Sequence, residues 1–171
     1  QKGVDLLLAT LPDFFAAGGA VAVLGAGEPG LEQGLRDLAA RFPEQCGVRL
    51  GYVEPLSHRM YAGGDLVLVP SRFEPCGLTQ LYGLRYGAVP LVAATGGLRD
   101  TVTDATDAHR ANGAATGFTF SGGVDGLRDA LARATALYAD RPAWHELRDR
   151  GMRTPVDWAP SAARYAELFA E

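Results

Sequence analysis

Cysteine is scarce in this sequence, with only Cys46 and Cys76 among 171 residues. Two such thiols match no metal-ligand spacing and give no disulfide framework, so a reducing cytoplasm is the expected setting. His58, His109 and His145 add no paired spacing, and neither a metal nor another cofactor is expected. Long apolar runs are missing as well: none approaches the roughly 20 residues needed to cross a bilayer, and no signal peptide is visible. Basic residues are scattered singly through a chain of net charge −4, so neither nucleic acid nor an anionic membrane is expected as a partner. Repeats, low-complexity runs and linkers are absent too. With 47% hydrophobic residues, the sequence suits one compact domain burying roughly 70% of its unfolded surface.

Residues 65–82, DLVLVPSRFEPCGLTQLY, organise the reading. Leu66, Val67, Leu68 and Val69 form a short apolar run, which predicts a strand buried on both faces and ended by Pro70. A polar loop with one carboxylate, Glu74, follows, and residues 78–86 carry helical spacing. The first N–H groups of that helix, around Gly77, Leu78 and Thr79, have no partner inside it, and the helix dipole adds positive charge there, so the junction favours phosphate.

The same alternation recurs along the chain. Residues 20–24 (AVAVL) predict a strand, the turn Gly25-Ala26-Gly27 follows, and Leu31, Leu35, Leu38 and Phe42 give a helical stripe. Val48, Leu50 and Tyr52 alternate as a strand, residues 55–62 are helix-like, and residues 89–93 (VPLVA) form another buried strand ending at Thr95-Gly96-Gly97. Residues 104–116 read as a surface loop and 116–120 as a short strand. Helices follow around Leu127 and Leu131, over residues 141–152 with Pro142 in the first turn, and from Ser161 as N-cap. At the start, Val4, Leu7, Leu8 and Leu11 mark a helix that Pro12 is expected to interrupt. Strands separated by helices predict a doubly wound, mostly parallel α/β sheet, Rossmann-like. Such a sheet normally opens on a strand, so its first strand is expected to be missing.

Each motif admits a plain reading beside a functional one. Gly25-Ala26-Gly27 is either a tight turn or a loop lining a nucleotide site. Tyr52 is either a core residue or a ring on which a base stacks. Glu74 is either a first-turn acid that suits the dipole or a carboxylate beside a sugar, where it would stabilise positive charge while neighbouring amides hold a departing phosphate. Cys76 at the helix end lacks a histidine partner in the sequence and is not expected to be a nucleophile.

The run SRFEPCGLTQLYGLRYGAVPLV, with TGGLRDTV after it and LGAGEP and GYVEPLSHRMYAGGDLVLVP before it, closely resembles the C-terminal domain of bacterial ADP-glucose glycogen synthases and plant starch synthases. The resemblance covers essentially the whole chain. It implies the C-terminal half of a GT-B fold, a retaining glucosyltransferase extending α-1,4-glucan from ADP-glucose without a metal. Residues 1–171 would be its donor-nucleotide domain, with 156–171 returning toward an N-terminal domain that binds the α-glucan acceptor and is absent from this sequence. Carried over by position, the resemblance implies that Glu74 contacts the donor glucose, with Cys76 and Gly77 along it. The amides of Leu78 and Thr79 would hold the distal phosphate, Lys2 would neutralise the diphosphate, and Tyr52 would stack on adenine with Gly51 leaving room. Related retaining enzymes carry a second glutamate where this chain has Tyr82, and the family's arginine ahead of the lysine would fall before Gln1. The competing expectations are a stand-alone nucleotide-binding or interaction module and a sibling transferase using a UDP-sugar.

Overall fold

The structure, a computed structural model, describes residues 1–170. Helix α1 (Val4–Ala16) opens the chain and leads into β1 (Val21–Gly25), α2 (Pro29–Arg41), β2 (Cys46–Leu50), α3 (Glu54–Gly63) and β3 (Leu66–Val69). Next come α4 (Thr79–Tyr86), β4 (Val89–Ala93), α5 (Gly96–Thr101), α6 (Asp107–Ala111) and β5 (Phe118–Phe120). Three helices finish the chain: α7 (Gly123–Ala139), α8 (Arg141–Arg153) and α9 (Ala159–Ala170). No helix among the described residues is long and apolar enough to cross a membrane.

All strand pairings are parallel, as helical crossovers require. They fall into two sheets, β1-β2 and β3-β4-β5, with no ladder between β1 and β3. That break explains why β3 differs from expectation. Pairing only with β4, it leaves Leu66, Val67 and Leu68 half-buried and buries only Val69. The central β4 fulfils the buried-strand reading, with Val89 through Val92 inaccessible.

The largest core lies between the three-stranded sheet and α7 and α8, where Leu91, Phe118, Leu127, Leu131, Trp144 and Leu147 meet. Burying each of these side chains contributes roughly 1.5–3 kcal/mol. A second core joins Leu11 and Phe15 of α1 to Leu38 and Cys46, and burial there pushes the Cys46 thiol up from its ordinary pKa. This second core also overrides Pro12. An interior proline costs about 3 kcal/mol, yet α1 continues through it to Ala16 because only a helix puts both Leu11 and Phe15 on the buried face.

Three boundaries move for local reasons. Within residues 104–116 the chain forms α6, because the Thr106 hydroxyl accepts the His109 N–H at 3.2 Å and caps it. Helix α4 begins at Thr79 with Leu78 as N-cap, leaving Gly77 just outside. Helix α9 starts two residues before Ser161, where Asp157 Oδ1 accepts the Ala159 N–H at 3.0 Å. No residue of α9 is buried, and Trp158, Tyr165, Leu168 and Phe169 all face solvent.

Candidate active site at the carboxyl end of β3

Loop 70–78 leaves the carboxyl end of β3 and runs into α4, the position where open α/β sheets bind ligands. The first residues of the chain lie against it. Arg72 N–H donates to the Gln1 carbonyl at 2.9 Å, and Gly3, at φ 72°, sits so close to Pro70 that a Cβ would strike the Pro70 carbonyl oxygen. The Arg72 guanidinium grips both carboxylate oxygens of Asp5, at 2.7 and 2.6 Å. That bond, with Arg72's charge, holds the Asp5 carboxyl down to about 2, and the same contact raises Arg72.

These anchors carry Lys2 onto Glu74, with Lys2 Nζ 2.5 Å from Glu74 Oε2. The same oxygen accepts a hydrogen bond from the buried Ser71 hydroxyl at 3.3 Å. Only 13% of the Glu74 side chain is accessible, so one carboxylate is aimed rather than free. Its backbone is fixed from the other side by the turn after β4. Gly97 N–H is shared between the carbonyls of Glu74, at 3.1 Å, and Pro75, at 3.2 Å. Gly96 and Gly97 are required by this approach: a Cβ on Gly96 would collide with the Glu74 carbonyl oxygen, and one on Gly97 would lie 2.6 Å from Cys76 Cα.

The loop therefore combines a held carboxylate, a cation on it, and the open N-terminus of α4, where Leu78 and the N–H groups after it lack helical partners. Beside it a cleft of about 270 Å³ is lined by Ser71, Arg72, Thr95, Phe120 and Ser121, among others. Such an arrangement puts a carboxylate, which favours positive charge, and a helix end, which favours negative charge, in one loop.

The positions singled out in the sequence divide into two groups. Lys2, Glu74, Cys76, Gly77, Leu78 and Thr79 belong to this loop and its border, Cys76 and Leu78 being exposed. Gly51 and Tyr52 stand apart, past the carboxyl end of β2. Gly51 donates to the Gly25 carbonyl at 2.8 Å and needs glycine for its φ of 101°, with open space where a Cβ would point. Tyr52 is 81% exposed, which removes the core reading of that ring. Ser71, Gln80 and Thr101 were not anticipated. Ser71 and Gln80 bond loop residues three or four positions away, and Gln80 also reaches Thr101, 21 residues on, a contact that no local pattern connects.

Comparison with known proteins is in keeping with this geometry. Residues 1–136 match the family described as glycosyl transferases group 1. A glycogen synthase of Cereibacter sphaeroides is 58% identical over 172 aligned positions, covering all of this chain and 36% of that protein. Glycogen synthase 2 of Rhizobium meliloti is 53% identical, with 35% of its length covered. This chain thus spans about a third of the curated relatives it matches. Among solved structures, the catalytic domain of starch synthase IV from Arabidopsis thaliana, bound to ADP and acarbose, superposes with a TM-score of 0.87 at 37% identity, covering 99% of this chain and 36% of that one. HepE of Anabaena in complex with UDP-glucose, at 16% identity, shares the fold with a TM-score of 0.72, over 99% of this chain and 45% of that one.

Proposed function

Because this chain belongs to the glycosyl transferases group 1 family, we propose that it forms the donor-nucleotide half of an ADP-glucose-dependent glycogen synthase, cytoplasmic and of GT-B architecture. The reaction moves glucose from ADP-glucose to the non-reducing end of an α-1,4-glucan with retention of configuration. The observation that carries this reading is the Lys2–Glu74 pair beside the open N-terminus of α4. Departure of ADP leaves the sugar electron-poor and the distal phosphate electron-rich, so catalysis needs opposite charges side by side.

Glu74 faces the glucosyl carbon and stabilises its cationic character. Lys2 swings from the carboxylate to the diphosphate when the donor enters, a short movement for an ammonium on a flexible stem that is 64% exposed. The N–H groups of Leu78 and Thr79 receive the distal phosphate, and Cys76 and Gly77 border the glucose. The exposed Tyr52 ring stacks on adenine, and Gly51 turns the chain so that the ring is presented.

The break between β1 and β3 supports the remaining part of the reading. In the doubly wound order 3-2-1-4-5-6, the present strands occupy every place except the first. A strand running into Gln1 would lie beside β3 and close the sheet. The acceptor α-glucan is held by a facing domain, toward which residues 156–171 return and against which Trp158, Tyr165, Leu168 and Phe169 of this segment become buried.

Radiolabelled glucosyl transfer tests the proposal. A full-length protein containing this chain should extend an α-glucan from ADP-glucose, and the 171-residue chain alone should be inactive for want of the facing domain. Transfer by the isolated chain at the full-length rate, or none from ADP-glucose by the full-length protein, contradicts it. Faster transfer from UDP-glucose identifies the sibling class instead.

A further inference from the structure

Gln80 is completely buried at the second position of α4, where a glutamine has no reason to be unless its amide is used. Its Nε2 lies 3.1 Å from the Cys76 carbonyl oxygen, 3.0 Å from the Gly77 carbonyl oxygen and 3.1 Å from Thr101 Oγ1. Two of these three neighbours can only accept, which fixes the amide orientation: the nitrogen faces them and the oxygen faces away. Thr101 spends its own proton on the Gly97 carbonyl at 2.5 Å, so it too accepts from Gln80, whose two N–H groups divide between Thr101 and a bond shared by the neighbouring Cys76 and Gly77 carbonyls. The leftover Gln80 Oε1 has no partner among the described residues and is sealed against Gly77, where a Cβ would come within 2.6 Å of it. Leaving a buried amide oxygen unpaired is unfavourable, so the fold tolerates this loss to keep the nitrogen where it is.

The consequence follows from the planarity of the peptide bond. In a trans peptide the C=O and the N–H point in opposite directions. Drawing the Cys76 carbonyl inward turns the Gly77 N–H outward, and drawing the Gly77 carbonyl inward does the same for Leu78 N–H. The relay Gln80–Thr101–Gly97 then ties this orientation to the turn that holds the Glu74 backbone, because Gly97 N–H is shared by the Glu74 and Pro75 carbonyls.

We infer that Gln80 and Thr101 are a positioning pair that presets the Leu78 amide for the distal phosphate of the donor, turns the Gly77 amide outward beside the glucose, and locks both in register with Glu74. This rests on the reading of loop 70–78 as the donor site. Neither side chain touches substrate. Their effect is therefore confined to the group that the amides hold.

Calorimetric titration of the full chain with ADP and with AMP tests the pair, alongside thermal melting and amide hydrogen exchange. Gln80→Leu and Thr101→Val should each weaken ADP about tenfold while leaving AMP affinity unchanged, since AMP lacks the distal phosphate. The double variant should be no weaker than either single one, and Thr101→Ser, which restores the hydroxyl, should recover wild-type ADP affinity. Equal losses for ADP and AMP would mean a general packing role and overturn the inference. So would wild-type ADP affinity in both single variants. If the wild-type chain binds neither nucleotide, the donor-site reading fails by itself, and the pair is judged on exchange at Gly97: acceleration in both variants upholds the relay, and unchanged exchange overturns it.

Discussion

Two loops leave parallel strands at their carboxyl ends, and they are built in opposite ways. The loop after β3 is tied down by Lys2 and Ser71 on the Glu74 carboxylate, by Gly97 on its carbonyls and by Gln80 beneath. The turn after β2 ends in Tyr52, whose ring stands 81% in solvent. On the donor-site proposal, the difference matches what each loop would recognise. Stabilising developing charge demands dipoles already in place, since reorienting them during reaction would cost what they contribute. An aromatic face meets a planar base by stacking, which tolerates rotation and sliding.

Breaking the rigid loop should have the larger effects. In the full-length polypeptide, Glu74→Gln should lower glucosyl transfer about 10²–10³-fold, or roughly 3–4 kcal/mol, with little change in ADP affinity. Steady-state kinetics and calorimetry together check it. Next, Gly97→Ala forces a methyl group onto Cys76 and should destabilise the fold by about 1–3 kcal/mol in urea unfolding. Its counterpart Gly51→Ala meets no neighbour and should cost only the left-handed backbone, about 1–2 kcal/mol.

On the open side, Tyr52→Ala should weaken ADP by about 1–3 kcal/mol and leave the melting temperature unchanged. The smallest effect concerns the Asp5–Arg72 clamp, which is half exposed and worth about 0–1 kcal/mol. Folding depresses the Asp5 pKa from 3.8 to about 2, so its contribution is complete above about pH 4 and lost as the pH falls through 2. The stability difference between wild type and Asp5→Asn should therefore shrink across that window and vanish below it, as read by acid-dependent unfolding.

The sequence exposes the loop after β3 because its signals are local: an apolar run, a proline, a carboxylate, a glycine and then helical spacing. It exposes β4 and α7 for the same reason. Gln80 stayed hidden because a glutamine on a helix ordinarily faces water, and only the carbonyls of Cys76 and Gly77 and the distant Thr101 make its burial sensible. Ser71 was readable as a loop residue but not as a hydrogen-bond donor to Glu74. Pro12 misled because its local penalty is visible in sequence while the burial of Leu11 and Phe15 that outweighs it is not. Likewise β3 reads as fully buried, and its half-exposure reflects its place at the edge of its sheet, paired on one side alone, rather than its own residues. The family's site residues came from resemblance, and the geometry groups most of them in one loop while leaving Tyr52 on another.

The central claim is that these two loops grip opposite ends of one nucleotide diphosphate sugar. Calorimetric titration of the full chain with ADP, repeated with Lys2→Ala and Tyr52→Ala, tests it most directly. The account predicts binding by the wild type, preference over UDP, and an affinity loss in each variant. Absence of ADP binding by the wild type, or affinity unchanged in both variants, would contradict it.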